Sequence, residues 1–263
     1  MMDMRPCSVA GMFSPAEPRH LEQLLESFFQ KRAPEIDARG IVSPHAGYVY
    51  SGETAACAFS TIPPDFDGTF VVIGPSHRGY MTCASAVPWE TPLGIVDIDE
   101  EFIDALEIEV DEVSHLDEHS LEVQMPIIKY RFPRARAVPI MMGDQRHEAA
   151  ENLAERLLLA TERTGRDVRF VASSDFSHYV PDEVARRQDL YAIDALKNLD
   201  THEFYRRLQE TGATACGYGP IATMCIVCRS LGAKTGELLR YTTSGNVTGD
   251  FNQVVGYAAI AVV

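Results

Sequence analysis

Three histidines in this chain each close a turn that follows a short apolar run. His45 lies in Ser43-Pro44-His45-Ala46-Gly47-Tyr48, His77 ends Gly74-Pro75-Ser76-His77, and His178 ends Ser173-Ser174-Asp175-Phe176-Ser177-His178. Imidazole is the commonest protein metal ligand and a proton donor and acceptor near neutral pH. Pro44 and Pro75 restrict the backbone of two of the turns, and stiff delivery suits a preorganised metal site. Taken singly, a histidine after a strand is more often a turn residue or a hydrogen-bonded ring. Three in one structural context bring a shared site level with that reading. Their wide spacing supplies no local motif such as H-E-x-x-H.

Other residues add candidate chemistry. Asp175, three before His178, is expected to orient that imidazole. Cys216 precedes Gly217-Tyr218-Gly219-Pro220 and a helix start, where the helix dipole favours a thiolate; the alternative is a small packed residue. His119 stands among carboxylates in Leu116-Asp117-Glu118-His119-Ser120-Leu121-Glu122, whose charge favours its protonated form. Ser173, Ser174 and Ser177 suggest a hydrolase, but the chain has no G-x-S-x-G elbow. Cys225-x-x-Cys228 has redox spacing yet falls inside an apolar helical run, so core packing is the expectation. His20, His115, His147 and His202 sit in polar contexts where solvent-facing roles suffice.

Elements must position these groups. Ser14-Pro15-Ala16-Glu17 fits a capping box ahead of an amphipathic helix carrying Leu21, Leu24, Leu25, Phe28 and Phe29. Apolar runs at Thr69–Ile73, Ala135–Met142 and Val168–Ala172 read as strands buried on both faces. Ala84–Trp89 and Ile95–Ile98 read as a hairpin, Glu118–Tyr130 as one helix, and Arg146–Thr164, Asp182–Leu199, Thr201–Glu210 and Ile221–Leu231 as further helices. Leu238–Thr242 and Val254–Val263 close the pattern as strands. Strands alternating with helices predict a single α/β domain over 1–263, with a largely parallel or mixed central sheet flanked by helices. In such sheets ligands bind beyond the carboxyl ends of the strands, where all three histidines would emerge if their strands are parallel neighbours.

Composition excludes some functions. The chain has 263 residues, 38 acidic against 23 basic, and a formal charge of −15. That balance argues against nucleic acid, which needs a basic footprint, and against anionic membrane surfaces. Twelve of the carboxylates fall between Asp97 and Glu122, a stretch without Lys or Arg. No signal peptide is visible from Met1 to Ser14 and no apolar run is long enough for a membrane helix. Six cysteines without a secretion signal point to reduced thiols in a cytoplasm.

The ordered set Ser-Pro-His-Ala-Gly-Tyr at 43–48, Gly-Pro-Ser-His at 74–77, Glu-His-Ser-Leu-Glu at 118–122, Ser-Ser-Asp-Phe-Ser-His at 173–178, Cys-Gly-Tyr-Gly-Pro-Ile at 216–221 and Val-Val-Gly-Tyr-Ala-Ala at 254–259 resembles the MEMO family. Its prokaryotic members are called AmmeMemoRadiSam system protein B. The resemblance implies a fold similar to class III extradiol dioxygenases, whose iron is held by two histidines and a glutamate. By position His45 and His77 look like the ligand histidines, Cys216 stands in place of the carboxylate, and His178 resembles the acid–base histidine. His119 lies in a family motif and is expected beside the cleft. Two histidines and a thiolate imply one transition metal ion, iron or copper, with zinc as the alternative. The family name implies AMMECR-type and radical-SAM partners. A cleft that binds a peptide without catalysis is the second function class to weigh, and a metal-dependent hydrolase the third.

Overall fold

Four β-branched, apolar runs form the centre of the protein because they are buried along almost their whole length. They are β1 (Gly40–Ser43), β2 (Thr69–Pro75), β6 (Arg136–Met142) and β7 (Val168–Ser173). They pair in parallel in the order β6-β2-β7-β1, as strands covered on both faces do. The computed structural model describes residues 3–30 and 36–263.

Antiparallel strands extend this block at both edges. β3 (Cys83–Ala84) pairs with β6, and β10 (Val254–Val262) pairs with β1, β9 (Gly236–Thr243) and β8 (His178–Val180). The result is a mixed, mostly parallel sheet of eight strands. A separate hairpin joins β4 (Trp89–Thr91) to β5 (Gly94–Val96). The expected hairpin from Ala84 to Ile98 is therefore shorter: Gly94, at φ 112°, turns the chain after Pro92 and Leu93, while Ala84 belongs to the main sheet.

Helices cover the sheet. Between β1 and β2 runs α2 (Tyr48–Phe59), preceded by α1 (Pro18–Phe29). Glu17 is the N-cap of α1, its carboxylate accepting the His20 N–H, so the helix starts three residues after the expected Ser14 cap. The acidic segment folds as α3 (Glu100–Leu106), α4 (Glu112–His115) and α5 (His119–Glu122), followed by α6 (Met125–Arg131). The single helix expected over Glu118–Tyr130 is thus two. Then come α7 (His147–Thr164), α8 (Asp182–Asp194), α9 (Thr201–Thr211), α10 (Tyr218–Ser230) and α11 (Gly245–Thr248). A 3₁₀ turn over Ala195–Asn198 ends the expected Asp182–Leu199 helix.

One contiguous core links the sheet to α2, α7 and α10. Cys225 and Cys228 are buried in it on α10, so their spacing serves packing, as expected. His115 is also fully buried, against the solvent-facing expectation: its Nδ1 donates to the Asp111 carbonyl at 2.8 Å. All six cysteines are free thiols. No helix among the described residues is long and apolar enough to cross a membrane.

Candidate metal centre

The carboxyl ends of β1, β7 and β2 lie side by side, with β7 in the middle. His45 follows β1 by two residues, His77 follows β2 by two, and Ser173 ends β7 opposite Ser43. His119 is the first residue of α5. These elements bring His45, His77 and His119 into one cluster whose ligand atoms all lie within 4.8 Å of one another. The His77 and His119 rings stack at 4.5 Å, and His45 meets each edge-on, at 5.2 and 5.4 Å. Such a cluster is capable of holding a metal ion.

Hydrogen-bond bookkeeping fixes the tautomers of two of the rings. The single hydroxyl proton of Ser173 goes to the Ser120 carbonyl at 2.6 Å, and its oxygen accepts from Gln124 Nε2 at 2.8 Å. His45 Nδ1, 2.9 Å from that oxygen, must therefore donate, leaving a lone pair on Nε2. Likewise His77 Nδ1 donates to Glu118 Oε1 at 2.8 Å while its backbone N–H donates to Oε2 at 2.7 Å. Both rings are held by partners that turn Nε2 into the available ligand, the role such partners play in metal sites generally.

Cys216 touches the edge of this cluster. Its Sγ lies 3.1 Å from His45 Nε2, and because that nitrogen is the acceptor, the thiol is the donor. Cys216 is held in place by its own N–H on the Asp175 carbonyl and by Gln145 Nε2 on its carbonyl, and its sulfur accepts the Asp175 N–H. The close approach also needs Gly217: a Cβ there would press into the Ser173 carbonyl and Ser174.

Asp175 does not orient His178. Its Oδ1 accepts the His45 backbone N–H at 2.8 Å, while His178 Nδ1 donates to the Thr214 carbonyl at 3.1 Å. The turn between them makes the pairing expected from their spacing unnecessary. Asp175 instead fastens the β7 turn to the His45 turn.

Burial dominates the proton affinities. It drives His45 well below the usual histidine range, with the charges of His119 and His77 acting in the same direction. His119 is lowered by burial and then by His77, which outweigh the attraction of Glu118; the protonated form expected from its acidic surroundings is not favoured. His178 is lowered by burial as well. Burial raises the Cys216 thiol, and the Asp175 charge adds to it, so the helix dipole does not prevail there. Asp175 itself is pushed up to about 7 by burial, against the N–H groups of His45 and Ala46. Glu118 goes the other way: burial opposes its charge, but the bonds from His77 and Ser120 bring it down to about 2. Burial thus disfavours the protonated forms of His45, His119 and His178, beside a firmly ionised Glu118 carboxylate.

The donors are thus imidazole nitrogens with a thiol sulfur at the margin. That chemistry fits iron, copper or zinc and does not fit magnesium or calcium, which prefer oxygen.

The chain matches a family model described as Memo-like protein over residues 5–261. It is 43% identical to a MEMO1 family protein of Methanosarcina barkeri, over 98% of this chain and 100% of that one. It is 44% identical to one of Archaeoglobus fulgidus, over 98% of each, and 41% to one of Methanothermobacter thermautotrophicus, over 99% and 100%. The match runs through every element that builds the histidine cluster, and the chain belongs to the Memo family.

Proposed function

We propose that this protein is a redox metalloprotein that holds one iron or copper ion, with zinc as the alternative occupant, in a dioxygenase-like cleft at the ends of β1 and β2. The observation that carries this reading is the pair of Nε2 lone pairs on His45 and His77, each set by a dedicated partner, Ser173 and Glu118. The third ligand is the Cys216 thiolate, with His119 beside it as the competing donor. A bound iron or copper ion supplies one-electron chemistry and open coordination positions for a small substrate. Around it, Asp175 holds the His45 turn, and His178 takes or gives a proton. Free thiols throughout accord with a reducing cytoplasm.

The test is metal content after purification without oxygen. About one equivalent of iron or copper is expected, lost in His45→Ala and in Cys216→Ala. Retention in Cys216→Ala with loss in His119→Ala hands the third position to His119. Metal content unaffected by His45→Ala refutes the site.

A second reading is a binding module for a peptide or for AMMECR-type or radical-SAM proteins. It is favoured by exposed apolar side chains that follow each strand-end histidine in sequence: Val49 and Tyr50, Met81, and Tyr179, which is 73% exposed. Pull-downs with Tyr50→Ala and Tyr179→Ala variants separate the two: loss of a partner with metal retained supports the module.

A further inference from the structure

A second group of metal-ligating side chains lies on helices, apart from the strand-end histidines. His147 opens α7 and Glu151 stands four residues on, so the two share a helix face. His202 comes from the first turn of α9. Their ligand atoms all lie within 4.8 Å of one another. His147 Nδ1 is 3.5 Å from Glu151 Oε1, close to the roughly 3.3–3.4 Å that separates ligands about 2.0–2.1 Å from a tetrahedral ion.

The surroundings of His147 are those of a ligand. Its Nε2 lies 2.9 Å from Oγ1 of the buried Thr201. Where Nε2–H donates there, Nδ1 turns its lone pair toward the Glu151 carboxylate; where the Thr201 hydroxyl donates instead, Nδ1–H bonds that carboxylate. In the first arrangement two acceptors face each other across the gap, which a cation fills; in the second a proton already fills it. The ring is further held by stacking on His202 at 3.9 Å and by the edge of Tyr205 at 5.1 Å. Glu151 and His202 are exposed, so an ion reaches them without displacing core residues.

We propose that His147, Glu151 and His202 form a site for a borderline divalent ion, zinc(II) above all, clamping the start of α7 to the start of α9. Two imidazoles and a carboxylate are a zinc donor set that leaves a fourth position open to water or a ligand. Magnesium and calcium would want oxygen throughout. The two helix N-termini and the nearby Arg229 oppose a cation, and a proton on His147 competes for the same gap, so the site is weaker than a buried zinc centre. The clamp bears on the first site as well: Tyr205 Oη donates to the Gln145 carbonyl at 2.6 Å, and Gln145 Nε2 donates to that of Cys216 at 2.9 Å.

The proposal does not depend on the function assigned to the strand-end cluster. Zinc binding by the full chain is measured by equilibrium dialysis at pH 7.5, in wild type and in a His45→Ala/His77→Ala variant that silences that cluster. The double variant is expected to keep one equivalent of zinc and to lose it when His202→Ala is added. In the wild-type background, His202→Ala and Glu151→Gln each alter exposed residues and are expected to weaken one equivalent at least tenfold. They should also abolish the part of any zinc-induced rise in Tm that survives in the double variant. Unchanged stoichiometry and affinity in both single variants overturns the proposal, as does a folded double variant that binds no zinc.

Discussion

Glu118 meets His77 twice, one carboxylate oxygen accepting the ring Nδ1–H and the other the backbone N–H. The same carboxylate accepts the Ser120 N–H and caps α5, which begins with His119. One buried side chain thus sets the tautomer of one cluster histidine and the position of another. Glu118→Gln keeps the size but replaces one acceptor oxygen by a donor, which cannot receive both His77 protons. Metal affinity is expected to fall about 10–100-fold, the usual cost of losing such a partner, as read by competition with a chelator of known affinity. Equal affinity in the variant would refute the orienting role.

Ser173→Ala removes the acceptor that fixes His45 and leaves three groups without that partner: His45 Nδ1–H, one of the two Gln124 Nε2 protons and the Ser120 carbonyl. Leaving buried donors unpaired costs about 1–3 kcal/mol each. The variant is expected to lose stability of that order in urea titration and to bind metal more weakly. Stability loss with wild-type metal affinity would mean that Ser173 serves only the core.

Arg5 ties the start of the chain to the loop that carries Glu118. Fully buried and 4.1 Å over the Trp89 ring, it donates to the carbonyls of His115 and Glu118 and, at 2.6 Å, to Glu122 Oε2. Arg5→Met leaves the buried Glu122 carboxylate without its cation, a loss of about 3–5 kcal/mol. Arg5→Met/Glu122→Gln is expected to cost less than the sum of the single changes. Strict additivity in that cycle would show that the two do not act as a pair.

Asp189 gives a pH signature. It is fully buried, and burial raises its pKa despite the hydroxyl and N–H of Ser177 and the hydroxyl of Tyr241. The folded protein therefore keeps this proton to higher pH than the unfolded chain, whose carboxylate titrates near 3.9. Stability from this group falls as pH rises between those two values and levels off above the folded one. Asp189→Asn lacks that slope, so its stability relative to wild type is expected to rise from pH 4 to pH 7.5. Urea midpoints at the two pH values check this, and a relative fall would contradict the assignment.

Local pattern was enough to locate His45 and His77, because a buried strand ending in a stiff turn announces itself over a few residues. It was enough for the sheet class too, since fully apolar runs separated by amphipathic helices admit few arrangements. What it missed depends on partners distant in sequence. The helix expected over Glu118–Tyr130 breaks at Val123 and Gln124, and Gln124 spends its amide on Pro44, Ser173 and Ser43, 49 to 81 residues away in sequence. That break lets His119 join the cluster as a member rather than a neighbour. Spacing alone pairs Asp175 with His178, whereas the carboxylate accepts the His45 backbone N–H from 130 residues away in sequence. His202 is exposed, as its polar context predicts, whereas His147 is half-buried because α9 packs against α7 and lays His202 on its ring.

The strand order also has a consequence for biosynthesis. β7 lies between β1 and β2, yet it is translated about a hundred residues after them. While the chain emerges from the ribosome, the two histidine turns have no intervening strand to set their separation, and Ser173, which dictates the His45 tautomer, has not been made. The nascent N-terminal half therefore lacks the partner that sets the proposed His45 ligand atom. Loading of the proposed site would then wait until Ser173, the last residue of β7, has been made.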